Sequence, residues 1–213
     1  MRYKAILFDM DGTLLDTLTD MEDAVNHILF VHGWPLRTTE EVRAFVGNGA
    51  RRLMERAVPP EVTGGDFETV LTEYRDWYQA HNCVATAPYP GIPALLAALA
   101  KTGIKTAVVS NKPDATTKTL AARFFPGLPA FGQRDDVPPK PAPDLVFRAL
   151  ETLGVDAADA IYVGDSEVDV ATARNAGLPL AAVSWGFRGR RALAEAGAAV
   201  IVDTAAELLE VLR

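Results

Sequence analysis

Cysteine is nearly absent: the 213 residues include one, Cys83. No disulfide can form within the chain, and a lone thiol of this kind is expected to be a buried or partly buried small hydrophobe. Positive charge is also in deficit, with 21 Lys and Arg against 28 Asp and Glu, a net charge of −7. Such a balance excludes nonspecific nucleic-acid binding, which needs a strongly basic surface, but leaves room for a local anion site. The three histidines, His27, His32 and His81, have no metal-ligand spacing and read as packing or surface residues. There are no repeats or low-complexity segments. Long apolar runs are missing too. The opening "MRYKAILFDMDG" holds an apolar stretch too short for a signal peptide or a membrane span. A cytoplasmic location with no membrane partner is therefore expected.

What is present is a chain 49% hydrophobic, enough to bury one large core or a main core with a smaller one. Short apolar runs of buried-strand type recur: "KAILF" from Lys4, "IKTAVVS" from Ile104, "AIYVGD" from Ala160, "PLAAVSW" from Pro179 and "AAVIVD" from Ala198. Helical patterns separate them, over 91–101, 114–125 and 144–153, and in "VDVATARNAG", which stops at Gly177. In the second of these, Pro113 suits a first turn and Asp114 the positive end. Alternation of this kind predicts an α/β fold, a Rossmann-like parallel sheet with helices on both faces. Residues 16–88 break the alternation. Leu18, Met21, Val25, Ile28 and Leu29 form one helical stripe, and Phe67, Val70, Leu71, Tyr74, Trp77, Tyr78 and His81 another. The aromatic stripe reads as packing. Between the two, "TEEVRAFVGNGARRLMERA" reads as helix, break and helix. The expected organisation is an α/β core of residues 1–15 and 89–213, interrupted by an all-α insert of residues 16–88.

Ligands of open parallel sheets bind beyond the carboxyl ends of the strands. The residues predicted there are Asp9, Asp11 and Thr13, then Ser110 and Asn111, then Gly164, Asp165, Ser166 and Asp169. Singly, each has an ordinary reading: Asp165 and Asp169 as helix caps, Ser110 as a loop hydroxyl. Together they put several carboxylates at one end of one sheet. Such clustering is costly without a cation, and hard oxygen ligands select Mg²⁺. A metal held among carboxylates attracts an anionic oxygen ligand, for which phosphate is the natural candidate. Lys140 stands in the proline-stiffened "VPPKPAPD". It is either a solvated lysine or a point charge fixed against phosphate and the aspartates.

The segments "DMDGTLLD", "VVSNKP", "KPAPD" and "YVGDSEVD", in this order, resemble the four signature motifs of the haloacid-dehalogenase-like hydrolase superfamily. The helical insert after the first motif is similar to the cap of its phosphoglycolate-phosphatase and β-phosphoglucomutase branch, and "DMDGTLLDT", "NGARRLMERA" and "SNKPD" look closest to the phosphoglycolate phosphatases. The resemblance implies that Asp9 is a nucleophile forming an aspartyl-phosphate. It implies that Asp11 protonates the leaving alkoxide and then activates water. Thr13, Ser110 and Lys140 would bind the phosphoryl group, together with backbone amides near Asp11 and Asn111. Asp9, Asp165 and the Asp11 carbonyl would hold Mg²⁺, with Asp169 in support.

In the insert, the glycines of "VGNGARR" let backbone approach a ligand and open a new helix whose N-terminus attracts anions. Gly49 is thus a candidate for substrate binding, and Arg51 or Arg52 for pairing with a substrate carboxylate. The competing reading is a plain helix–helix joint with solvated arginines. The basic "FRGRR" from Phe187 reads as a solvated helix start and Trp185 as packing. A small phosphate ester is the expected partner, 2-phosphoglycolate first, with sugar and amino-sugar phosphates and a β-phosphoglucomutase-like phosphomutase as alternatives; the chain could act as a monomer or a homodimer. A dehalogenase is disfavoured by Asp11. A phospho-accepting signalling module would be about 120 residues and need no insert. A noncatalytic binding protein on the same fold is disfavoured by intact Asp9 and Asp11.

Overall fold

The computed structural model describes residues 2–213. Six strands form one parallel sheet: β1 (Ala5–Phe8), β4 (Lys105–Pro113), β5 (Ala130–Gln133), β6 (Ala160–Gly164), β7 (Leu180–Val183) and β8 (Ile201–Val202). Their order across the sheet is β5-β4-β1-β6-β7-β8. Two-residue strands β2 (Leu15–Asp16) and β3 (Ala87–Pro88) form a separate antiparallel ladder. The helices are α1 (Leu18–Val31), α2 (Thr39–Phe45), α3 (Gly49–Ala57), α4 (Gly64–His81), α5 (Ile92–Ala100), α6 (Asp114–Phe124), α7 (Asp144–Leu153), α8 (Glu167–Ala176), α9 (Gly189–Glu195) and α10 (Ala205–Leu212).

The continuous apolarity of β1 follows from its central place. Ile6 and Phe8 point into one core, with Leu95 and Leu99 of α5, Leu120 of α6 and Leu208 of α10. Ala5 and Leu7 point into a second core, with Leu145, Ala149 and Leu150 of α7 and Ala173 of α8. A strand covered on both faces has no position for a polar residue. β4 and β6 divide in the same way, Val108 and Val163 facing the first core, Val109 and Tyr162 the second. In register, Phe8 pairs with both Val108 and Val163. β1 and β6 therefore end within a residue of each other, level with Val108 of β4, which runs on to Pro113, and this brings Asp9, Ser110 and Asp165 side by side.

Helices α1 to α4 pack on one another around a third hydrophobic cluster, from Leu18, Val25 and Leu29 through Val42 and Met54 to Phe67, Leu71 and Tyr74. The two helical stripes of the sequence meet here, α1 against α4. Thr38 caps α2 in a full capping box with Glu41, which ends the preceding loop sharply. The chain enters this layer after β2 and leaves it before β3, so both crossings pass through one short ladder. The buried carboxylate of Asp20 staples the return: it accepts bonds from the backbone N–H groups of Val84 (3.1 Å), Ala85 (2.8 Å) and Thr86 (2.9 Å), and from Thr86 Oγ1 (2.6 Å).

The strand β5, "AFGQ", is not signalled by the sequence. It is an edge strand in which three of the four residues are only partly buried, and an edge needs no unbroken apolar run. The "VGNG" break ends α2 and opens α3 as read. Trp185 packs, and its indole N–H also donates to the Thr13 carbonyl at 3.1 Å.

Candidate active site

Beyond the ends of β1, β4 and β6 lies a cavity of about 360 Å³, walled by sheet-end residues on one side and by α1, α3 and α4 on the other. Asp9, Asp11, Ser110, Asn111, Asp165 and Gly49 all line it.

Asp9 follows β1, its backbone N–H bonded to Val163 O at 2.8 Å. Its Oδ1 accepts the Met10 N–H at 2.7 Å and lies 3.1 Å from Lys140 Nζ. Its Oδ2 has no partner among the described residues. Burial pushes the Asp9 carboxyl up to about 7; Lys140 opposes this, and Asp169 and Asp11 add to it.

Lys140 is buried, so it is no solvated lysine. Its Nζ reaches Asp169 Oδ1 at 2.8 Å, Tyr162 Oη at 3.0 Å and Asp9. Burial lowers its pKa, but the carboxylates of Asp169 and Asp9 more than reverse this, and it stays charged. The Asn111 side chain fixes this lysine from behind. Its Oδ1 accepts the Lys140 N–H at 2.7 Å, and its Nδ2 donates to Lys140 O at 2.9 Å and to Gly47 O at 3.2 Å. Its amide is therefore committed to the protein, and only its backbone is left for a ligand.

Asp165 is enclosed. Thr13 Oγ1 donates to it at 3.1 Å and the Phe187 N–H at 2.8 Å. A Cβ on Gly12 would sit 2.3 Å from its Oδ2, and one on Gly186 would sit 2.2 Å from Gly12 O. The backbone can close around the carboxylate only because both residues are glycine. Burial, then Asp169 and Asp9, push Asp165 well above the usual carboxylate range. Thr13 is placed to orient this aspartate and does not line the cavity.

Asp9, Asp165 and Asp169 bring one carboxylate oxygen each within 4.8 Å of one another. Against three buried carboxylates stands one ammonium in contact, Lys140. The remaining negative charge and the all-oxygen donor set fit a divalent cation. Asp169 takes a different part from that of a free ligand. It is the N3 residue of a capping box on α8: its Oδ2 accepts from Ser166 Oγ (2.7 Å), Ser166 N (3.1 Å) and Asp165 N (3.2 Å), while its Oδ1 holds Lys140. The unpartnered oxygen is Asp9 Oδ2; each oxygen of Asp165 already accepts one bond, from Thr13 or from the Phe187 N–H, and keeps a further lone pair for a cation. The Asp11 carboxylate is outside this cluster. Its Oδ1 accepts Thr17 Oγ1 at 2.7 Å and lies 3.1 Å from Lys112 Nζ.

Two expected cap residues are not brought to the site. Arg51 is half exposed and bonded bidentately to Glu68 at 2.7 and 2.9 Å, and Arg52 pairs with Glu55 at 2.6 Å. Neither lines the cavity. Leu53, Met54 and Ala57 set the buried face of α3 and rotate both arginines to the outside. The glycine break does bring backbone close, but to the sheet: Gly47 O meets Asn111, and a Cβ on Gly49 would lie 3.2 Å from Asn111 O.

Two further residues line the cavity, Lys112 and Arg188. Lys112 is buried at the end of β4, touching Asp11 and Tyr78 of α4. Arg188, expected to be solvated, is a clasp: it donates to Arg43 O at 2.7 Å, Val46 O at 2.5 Å and Glu167 at 2.9 Å, tying the loop after β7 to the end of α2. The rest of that basic run is exposed, with Arg190 on Asp203 and Arg191 on Glu195.

A family model described as haloacid dehalogenase-like hydrolase matches residues 6–183. The chain belongs to that family. An N-acetylmuramic acid 6-phosphate phosphatase of Pseudomonas aeruginosa is 36% identical to this haloacid dehalogenase-like hydrolase, covering 100% of its chain and 96% of the relative. A phosphoglycolate phosphatase of Pseudomonas savastanoi pv. phaseolicola is 34% identical over 97% of the chain and 78% of the relative. A protein of Lactobacillus delbrueckii subsp. bulgaricus, solved as a candidate phosphoglycolate phosphatase, superposes with a TM-score of 0.94 at 37% identity, covering 100% of this chain and 99% of that one. This haloacid dehalogenase-like hydrolase is a phosphatase, a phosphoric monoester hydrolase. Among its described residues, no helix is long and apolar enough to cross a membrane.

Proposed function

We propose that this phosphatase hydrolyses a small phosphorylated metabolite with Mg²⁺ through an aspartyl-phosphate on Asp9, and that 2-phosphoglycolate is its first candidate substrate. The observation that carries the reading is Asp9 itself: a carboxylate at a strand end, facing a cavity, one oxygen fixed by an N–H and an ammonium and the other free. The free Oδ2 attacks phosphorus, and the bond to the ester oxygen breaks. Asp11, two residues on and past the bend at Met10, lines the same cavity; it protonates the leaving alkoxide and then takes a proton from the water that opens the acyl phosphate. Lys140 and Ser110 stabilise the transferring oxygens, with backbone amides beside Asp11 and Asn111. Mg²⁺, held by Asp9, Asp165 and the Asp11 carbonyl, would supply positive charge against the phosphoryl oxygens. Asp169 and Thr13 position that set.

Residues 16–88 act as a cap over a core of residues 1–15 and 89–213. Their separate hydrophobic cluster and single ladder of attachment support this. The cap shields the cavity from water and supplies the wall around the leaving group. A second reading, hydrolysis of an amino-sugar phosphate, is favoured by the relative named for N-acetylmuramic acid 6-phosphate and by a cavity larger than glycolate requires. The two named substrates share a chemistry: each is a phosphate monoester whose alcohol half carries a carboxylate.

Phosphate release across a panel of small phosphorylated metabolites tests the function. Asp9→Asn is expected to cut turnover at least ~10⁴-fold with the fold retained by circular dichroism, and EDTA to stop the reaction until Mg²⁺ is restored. Wild-type turnover by Asp9→Asn, or full activity after chelation, refutes the mechanism.

A further inference from the structure

We propose that Lys112, together with Tyr74 and Tyr78 of α4, is the receptor for a carboxylate on the leaving half of the substrate. The inference rests on reading the cavity as a phosphatase site and adds to it a specificity role for the lysine of "VVSNKP".

Lysine is almost never fully buried unless its charge is matched. Lys112 is 5% exposed and lines the cavity. Its Nζ donates to Tyr78 Oη at 2.8 Å and lies 3.1 Å from Asp11 Oδ1. An ammonium carries three N–H donors, so one remains for a ligand. The Tyr78 ring takes part of the charge, its centroid 4.6 Å from Nζ. Tyr74 stacks on Tyr78 with the rings 3° from parallel and 5.8 Å apart. Tyr74 is 2% exposed as a residue and lines the same cavity, and its hydroxyl, bonded to no other described residue, opens to that cavity. A cation with a spare donor and an unpartnered hydroxyl on one cavity wall are what a carboxylate requires.

Placement along the substrate agrees. The phosphoryl group belongs at Asp9 and the ester oxygen at Asp11. Of the two side chains that touch the Asp11 carboxylate, Thr17 and Lys112, Lys112 lines the cavity, so the atoms beyond that oxygen come next to it. The other cations near the cavity serve less well. The Arg188 donors go to Arg43, Val46 and Glu167, and Arg75, though it lines the cavity, is exposed.

The test is calorimetric titration of the non-turning Asp9→Asn protein, with Mg²⁺, using 2-phosphoglycolate and ethyl phosphate, which lacks the carboxylate. Phosphoglycolate is expected to bind at least ~10-fold more tightly. Adding Lys112→Met should erase that preference, and adding Tyr74→Phe should reduce it roughly 3- to 10-fold. Equal affinity for the two esters at the outset, or equal weakening of both by Lys112→Met, overturns the proposal. Should the Lys112→Met protein fail to fold, an unchanged preference in Tyr74→Phe overturns it alone. A wild-type protein that releases phosphate from no ester, while the binding preference stands, would sink the phosphatase reading and leave the receptor in place.

Discussion

Removing the Asp20 carboxylate should loosen the helical layer from the sheet. Asp20 is 1% exposed and accepts four bonds from the return segment 84–86. A hydrogen bond to a charged group contributes about 1.5–3 kcal/mol, but the four are not additive. Val84 and Ala85 are exposed, so water can replace the carboxylate at their N–H groups in Asp20→Ala. Thr86 is buried, and both its donors would be stranded. A net loss of about 3 kcal/mol follows, dominated by Thr86. For a chain of this size that is a fall in Tm of roughly 6–12 °C. Asp20→Asn keeps one acceptor oxygen and should lose about half as much. Scanning calorimetry with urea denaturation measures both, and KM should rise in Asp20→Ala, because the return segment leads into β3 and fixes the layer over the cavity. An Asp20→Ala protein within about 0.5 kcal/mol of the parent would refute the staple.

Asp9 is pushed to about 7 from an ordinary 3.8. A carboxyl raised on folding binds its proton more tightly in the native state, so its contribution is full below the unfolded value and is lost as pH rises through the folded one. The metal-free protein should therefore lose stability between about pH 4 and 7, by at most about 4 kcal/mol from this group. Because a cation binds the ionised form, the rise in Tm on adding Mg²⁺ should be larger at pH 8 than at pH 5; a pH-independent rise contradicts this. Gly186→Ala would put a Cβ 2.2 Å from Gly12 O and 2.4 Å from Asp165. It is expected to lower kcat at least ~10-fold by displacing Asp165, and wild-type kcat would show that the Gly12–Gly186 cradle is not needed.

The acid cluster was legible because its residues sit at strand ends, and the strand runs could be read from apolarity alone. Asp9, Asp11, Ser110 and Asp165 come together for that reason. Lys140 could be suspected only beside them. What escaped was set by contacts between distant segments. Asp20 looks like an acidic residue in a first helical turn, useful to the dipole; its partners lie more than sixty positions away. Lys112 lies inside "SNKP", and nothing nearby says that Tyr78 will close over it. Arg188 belongs to a run that looks solvated, and only the carbonyls at the end of α2 make it structural. Arg51 and Arg52 directly follow the glycine break in sequence, but α3 is oriented by Leu53, Met54 and Ala57, whose burial turns both arginines outward.

The two-residue ladder of β2 and β3 has an evolutionary consequence. The chain leaves the sheet at Asp16 and returns at Ala87, and these residues pair directly. A segment whose ends already lie together can be lengthened, shortened or traded by recombination without redrawing the sheet. The alcohol half of the substrate can then drift from lineage to lineage while the acid cluster is inherited intact. Lys112 is carried on β4 and travels with the sheet, whereas Tyr74 and Tyr78 travel with the helical segment, so a transplanted segment would meet the same cation with a wall of its own.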